Sequence, residues 1–129
     1  MAITVNLDTI ILYVRDMERL KSFYMTAFGL ELVEDDGAVW VLLKAGNAHI
    51  GLHQMGTQYL TKKAVGQANS NAKIVFEVNE DIHWLRSCLL EQNVRMREVK
   101  TFENYQYWLC DGEDPEGNIF QLKQKKLSQ

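Results

Sequence analysis

Residues 111–124, DGEDPEGNIFQLKQ, set the reading of the whole chain. They contain the only proline, Pro115. Asp114-Pro115-Glu116-Gly117 carries the residues of a type I turn: Asp first, Pro second where its ring presets φ, and Gly fourth. From Ile119 to Gln124 apolar and polar residues alternate, the signature of a half-buried strand. Phe120 and Leu122 share one face, and Ile119, Gln121 and Lys123 share the other. The first face belongs on a core.

Working back from this turn, Gln106–Cys110 and Met96–Phe102 read as strands. Asn93 takes a helix C-cap position, because Asn tolerates positive φ. Ile82, Leu85 and Leu89 form one helical stripe behind Asp81, a suitable N-cap. Residues 73–78, KIVFEV, are a strand. The same order occurs earlier in the chain. Thr9–Val14 is a strand, and Asp16 caps a helix whose stripe is Met17, Leu20, Phe23, Tyr24, Ala27 and Phe28. Gly29 ends that helix. Glu31–Glu34 and Ala38–Ala45 are strands joined through the hairpin turn Asp36-Gly37, and Ala48–Gln54 is a fourth. Val14 and Val78 are 64 positions apart, as are Gly29 and Asn93, whereas Leu52 and Leu122 are 70 apart. The chain is therefore an internal repeat of strand, helix, strand, strand, strand. The class is α+β. Its two βαβββ modules cover about residues 5–55 and 72–125 of a single domain. Together they are expected to form a cupped eight-stranded mixed sheet with helices on the outer face. Residues 55–71 connect the halves, either as a linker or as a lid.

Strand parity separates two faces. Ile10, Leu12 and Val14 point to the first helix, leaving Thr9, Ile11 and Tyr13 on the other side. Ala48, Ile50 and Leu52 leave His49, Gly51 and His53. In the second half, Ile74, Phe76 and Val78 leave Lys73, Val75 and Glu77. A curved sheet with a mixed polar and apolar inner face suits a ligand cavity. Trp40, in the most apolar strand, is assigned to the core.

Composition excludes several classes. The chain has 129 residues, 47% hydrophobic and 24% charged, with a net charge of −3. No basic cluster calls for nucleic acid or an anionic membrane. No apolar run reaches the ~20 residues of a membrane helix. Cys88 and Cys110 lack metal or redox spacing, which fits reduced thiols in the cytoplasm.

Three stretches together, LYVRDMERLKSFYMTAFGLEL, KIVFEV and DPEGNIFQL, resemble the vicinal oxygen chelate superfamily of glyoxalases, bleomycin resistance proteins and extradiol dioxygenases. The resemblance implies paired βαβββ modules, a homodimer and, in the enzymes, a divalent metal held by His and Glu. It puts those ligands at Thr9, Gly51, Lys73 and Gln121. None of the four is His or a carboxylate, so no metal and no other cofactor is expected. Lys73 would instead repel a dication.

The cavity residues expected to contact ligand are Thr9, Ile11, Tyr13, His49, His53, Lys73, Val75, Glu77 and Gln121. His49 and His53 lie ~13 Å apart on a straight strand, too far to share one metal unless the strand bends, though either could be a ligand with Glu77 or another residue, or a general base. Glu77 is the candidate counter-charge for Lys73 if the strand bends. The expected function is metal-free binding of a small organic molecule with an acidic or hydrogen-bond-accepting group. The alternative is a lyase, isomerase or dioxygenase of the same superfamily, with rearranged metal ligands or acid–base chemistry. No residue is singled out as catalytic.

Overall fold

Two aspartates start the two helices in the same way. Asp16 accepts a hydrogen bond from the Arg19 amide at 3.1 Å. Asp81 accepts from His83 and Trp84 at 2.9 and 3.0 Å. Each satisfies amides that the first helical turn leaves without partners. The helices they start are α1 (Met17–Phe28) and α2 (Ile82–Glu91). Left-handed residues close both. Gly29 has φ 63° and Asn93 has φ 64°, and the Val94 amide returns to the Leu89 carbonyl at 3.0 Å. Asn93 thus serves as the expected substitute for glycine.

The computed structural model describes residues 3–4, 7–56 and 72–127. Residues 57–71, on which the linker-or-lid question turns, lie outside the described residues. The chain divides into two compact units, Met1–Lys63 and Ala64–Gln129.

In the first unit the strands are β1 (Thr9–Val14), β2 (Glu31–Asp36), β3 (Trp40–Ala45) and β4 (Ala48–Gln54). They form a mixed sheet in the order β1-β4-β3-β2, with β1 parallel to β4 and the other pairs antiparallel. Val14, Leu20, Val41, Leu43 and Leu52 are fully buried, and Tyr24 nearly so. The register slips between Leu32 and Glu34, a bulge in the edge strand β2.

The second unit repeats the plan with β5 (Ile74–Glu77), β6 (Arg95–Met96), β7 (Tyr107–Glu113) and β8 (Ile119–Lys125). Its order, β5-β8-β7-β6, matches that of the first unit position for position. Ile82, Leu89, Cys110, Phe120 and Leu122 make its core. The expected strand Met96–Phe102 is only two residues long. Arg97 donates to Asp111 at 2.9 Å, and Lys100 exchanges both bonds with Leu109 at 2.8 Å. Three steps along this segment therefore oppose two along β7, and the extra residue breaks the ladder.

The Asp114–Gly117 turn forms as expected, and Asn118 completes it. The Gly117 amide donates to the Asp114 carbonyl at 2.9 Å, with Gly117 at φ 84°. The Asp114 carboxylate, 4% exposed, accepts from the Glu116 and Asn118 amides at 2.9 Å each and from Asn118 Nδ2 at 2.8 Å. The repeat extends to side chains. Gln54 donates to the Arg15 carbonyl at 2.9 Å, and Gln124, 70 positions later, accepts from the Ile82 amide at 2.8 Å. Each glutamine ties the end of a last strand to the start of a helix.

Candidate functional site

The register of β1, β4 and β3 lays three rows across the face turned away from α1. They are Thr9–His49–Lys44, Ile11–Gly51–Leu42 and Tyr13–His53–Trp40. Ile11 and Tyr13 are 46% and 62% exposed, so this face carries accessible apolar surface. Thr9 donates its hydroxyl to Asp8 Oδ2 at 2.6 Å. His49 Nδ1 lies 3.2 Å from the Asp8 carbonyl, and His53 Nδ1 lies 2.9 Å from the Gln54 carbonyl. A carbonyl only accepts, so Nδ1 is the donor in both rings, and each neutral ring keeps its lone pair on Nε2. The Tyr13 and Trp40 rings flank His53 at 5.3 and 6.2 Å between centroids.

Trp40 corrects the sequence reading. It does not enter the core, because Val41 and Leu43 take the helix-facing positions of β3. Its indole lies over Gly51 instead. A Cβ at position 51 would sit 2.3 Å from Cη2 and 2.8 Å from Cζ3 of the ring. Nε1–H donates to Glu34 Oε1 at 2.9 Å, which anchors the indole from β2.

In the second unit the corresponding rows include Val75–Gln121–Asp111 and Glu77–Lys123–Leu109. Asp111 is 8% exposed and accepts at both oxygens. Lys73 Nζ donates to Oδ2 and Gln121 Nε2 donates to Oδ1, each at 2.9 Å. Burial alone would raise this carboxyl's pKa. The hydrogen bonds from Lys73 and Gln121, with the charges of Lys73 and Lys100, outweigh burial and hold it below the usual carboxylate value. The counter-charge of Lys73 is thus Asp111 and not Glu77, which stands level with Lys123. A straight parallel strand keeps Glu77 out of reach, whereas β7 presents Asp111 across β8.

Of the nine expected residues, the structure pairs Thr9 with His49, Tyr13 with His53, and Val75 with Gln121, and joins Lys73 to Gln121 through Asp111. Ile11 stands beside Gly51. Asp111 and Trp40 are among the residues of these faces that the sequence reading did not name. The alternation Tyr107, Leu109, Asp111, Glu113 carried the signal for Asp111, had β7 been extended past Cys110. An open depression of about 550 Å³ at the start of α1, lined by Arg15, Asp35 and Gln54 among others, contains none of the nine.

A model of the Glyoxalase/Bleomycin resistance protein/Dioxygenase superfamily matches residues 6–122. The chain belongs to that superfamily. Solved structures agree on the fold. An antibiotic-binding protein of Streptomyces sp. CB03234 superposes with a TM-score of 0.74 at 21% identity, covering 98% of this chain and 99% of its own. An integron cassette protein from the mobile metagenome of V. cholerae gives 0.71 at 24%, covering 96% and 98%. A genomically encoded fosfomycin resistance protein of Listeria monocytogenes gives 0.73 at 13%, covering 98% and 97%. No curated protein matches the chain.

The metal used by enzymes of the superfamily does not fit the residues at its expected places. The Thr9 hydroxyl is engaged by Asp8, the indole of Trp40 covers Gly51, and Lys73 sets an ammonium against Asp111. Gln121 contributes only a neutral amide, itself bonded to that carboxylate. Among the described residues, no group of three or more His, Cys, Asp or Glu side chains is placed to hold a metal ion. No helix among them is long and apolar enough to cross a membrane.

Proposed function

We propose that the chain is one glyoxalase/bleomycin-resistance-like domain that binds a small organic molecule without a metal. The ligand lies on the face of the second sheet that carries Val75, Gln121 and Asp111. The observation that carries this reading is the Lys73–Asp111–Gln121 cluster, a few polar groups held rigidly on a face that otherwise carries accessible Val75. Ligand sites combine apolar wall with a small number of placed polar groups. Lys73 spends one N–H on Asp111, which leaves donors for a ligand's carbonyl, hydroxyl or carboxylate. Because Asp111 already neutralises the ammonium, the favoured group is a hydrogen-bond acceptor rather than a bare anion. The antibiotic-binding protein of similar fold supports a small-molecule ligand. The protein works in the cytoplasm as a homodimer, a closed assembly that would cover strand edges.

The test is an NMR-monitored screen of a natural-product antibiotic panel. A ligand of this site shifts the signals of Val75 and Gln121, and Lys73→Met weakens it at least tenfold while the spectrum stays folded. A hit bound equally well by that variant removes Lys73 as the anchor. A panel that moves none of these signals counts against the reading. Sedimentation at tens of micromolar, an estimate above most specific dimer constants, checks the dimer.

A second reading rests on His49 and His53. Both commit Nδ1 to a carbonyl and so keep Nε2 as a base. This suits a metal-free lyase or isomerase that moves a proton. Turnover of a ligand found in the screen, lost on replacing His49 or His53 by Gln with binding retained, would select it.

A further inference from the structure

We infer that the ligand of the second sheet face carries an aromatic ring about 13 Å from its hydrogen-bond acceptor, the span from Asp111 to Tyr107 along β7, and that the ring docks on Tyr105 and Phe102. This rests on the binding reading given above and names the chemical class of the ligand. Strand parity puts Tyr107 on the same face as Leu109 and Asp111. Lys123 holds its ammonium 4.1 Å from the centre of the Tyr107 ring, which fits that placement, because Lys123 shares its face of β8 with Gln121. From Tyr107 the rings continue outward. Tyr105 lies 5.7 Å from Tyr107, and Phe102 lies 6.1 Å from Tyr105, between centroids. The face thus has the Lys73 donors at one end and a run of rings at the other.

The backbone under these rings is fixed from both sides. The Thr101 hydroxyl donates to the Tyr107 carbonyl at 2.7 Å, and the Lys126 amide donates to the Gln106 carbonyl at 2.8 Å. Between them the Tyr105 amide closes a turn on the Phe102 carbonyl at 3.1 Å, with Asn104 at φ 63°. Phe102 is nevertheless 58% exposed and Tyr105 37%, so the turn presents its rings to solvent instead of spending them on the core. Lys123 takes the place over Tyr107, which leaves Tyr105 and Phe102 as the accessible rings. Fixed, accessible rings select for a partner ring, because aromatic pairs gain more than the area they bury. Their continuity with the Lys73–Asp111–Gln121 face assigns them to the same small molecule.

The probes are ω-phenylalkanamides of graded chain length, each with its ω-cyclohexyl counterpart, titrated into the intact chain and read by NMR at Val75, Gln121 and Tyr105. Affinity is expected to peak at the chain that sets ring and carboxamide about 13 Å apart. At that length phenyl should bind about two- to tenfold tighter than cyclohexyl, the advantage of an aromatic pair. The exposed double variant F102L/Y105L should erase that preference, and should it not fold, Tyr105→Leu alone carries the comparison. Lys73→Met should weaken both series equally. No optimum in length, equal affinity for phenyl and cyclohexyl, or a phenyl preference that survives in the folded leucine variant would overturn the inference, while the binding reading stands if Lys73→Met still weakens the probes. Probes that shift none of these signals, or that bind Lys73→Met as tightly as the parent, overturn both. Ring signals of Phe102 and Tyr105 that move with protein concentration alone would give the rings to a second copy and overturn the inference too.

Discussion

Replacing Gly51 by Ala tests the packing of the first sheet face. The added Cβ would sit 2.3 Å from Cη2, 2.8 Å from Cζ3 and 3.2 Å from Cζ2 of Trp40, so the indole has to move. Movement is opposed by the 2.9 Å bond from Nε1 to Glu34. Trp40 is only half-buried, which gives the ring somewhere to go. Overpacking typically costs about 1–3 kcal/mol. An alanine at a backbone that accepts it returns about 0.4–1 kcal/mol through the unfolded chain, and Gly51 is not among the positive-φ residues. We expect a net loss of about 1–2 kcal/mol, near the low end of the overpacking range. Gly112→Ala supplies the internal standard. Its Cβ would lie 2.4 Å from Cζ of Phe120 and 2.5 Å from Sδ of Met96, and Phe120 is 1% exposed. With no space to yield, that variant should lose about 3 kcal/mol or more. Urea unfolding followed by circular dichroism measures both. Trp40→Leu in the Gly51→Ala background should recover part of the loss, a coupling of about 0.5–3 kcal/mol. Strict additivity, or a Gly51→Ala cost within about 0.3 kcal/mol of zero, less than any overpacking, would refute the placement of the indole.

Other perturbations address the turn, the ion pair and the glutamine ties. Asp114→Ala removes the acceptor of three hydrogen bonds from a buried position and should cost about 2–4 kcal/mol in thermal unfolding; a loss under about 0.5 kcal/mol, smaller than one ordinary bond, would contradict that geometry. The Asp111 carboxyl is depressed in the folded state, so its stabilising contribution is complete above the unfolded pKa of about 4 and fades as pH falls through the lower folded value. The stability difference between parent and Asp111→Asn should therefore shrink between about pH 5 and pH 2, and parallel pH profiles would exclude the pairing. Gln124→Ala leaves the Ile82 amide without its acceptor and should cost about 1 kcal/mol, as loss of a helix cap does, with faster hydrogen exchange at that amide. Gln54→Ala frees only a carbonyl at Arg15, which water satisfies readily, so an equal or larger cost there would be unexpected.

The modules were legible because repetition and parity reinforce each other. Asp16 and Asp81, Gly29 and Asn93, and the DPEG turn each mark a boundary by local chemistry, and these boundaries sit where the structure has them. The alternation of β1, β4 and β8 agrees with the burial of Val14, Ile50, Leu52, Phe120 and Leu122, whereas Ile10, assigned to the helix side, is 39% exposed. What escaped depended on neighbours distant in sequence. The Lys73 partner lies 38 residues away on another strand, and its choice over Glu77 follows from register, which one strand's alternation does not encode. Trp40 looked like core because its strand is apolar, yet Val41 and Leu43 take the helix-facing positions of that strand, and the indole lies on the opposite face over a glycine of the adjacent strand. The short β6 reflects a mismatch in step count against β7, again a property of the pair.

Two equivalent edge strands, β2 and β6, face the same hazard of recruiting foreign strands, and they meet it differently. An exposed ladder edge is a template for intermolecular growth. In the first sheet the edge strand β2 is exposed along its full length, but it carries Glu31, Glu34, Asp35 and Asp36 and is interrupted by the bulge at Leu32–Glu34. An incoming strand would have to desolvate carboxylates and match a broken register. In the second sheet β6 stops after two residues and offers almost no ladder to extend. One copy of the duplicated module is guarded by charge and the other by brevity, so the two have diverged in solubility strategy while keeping one topology.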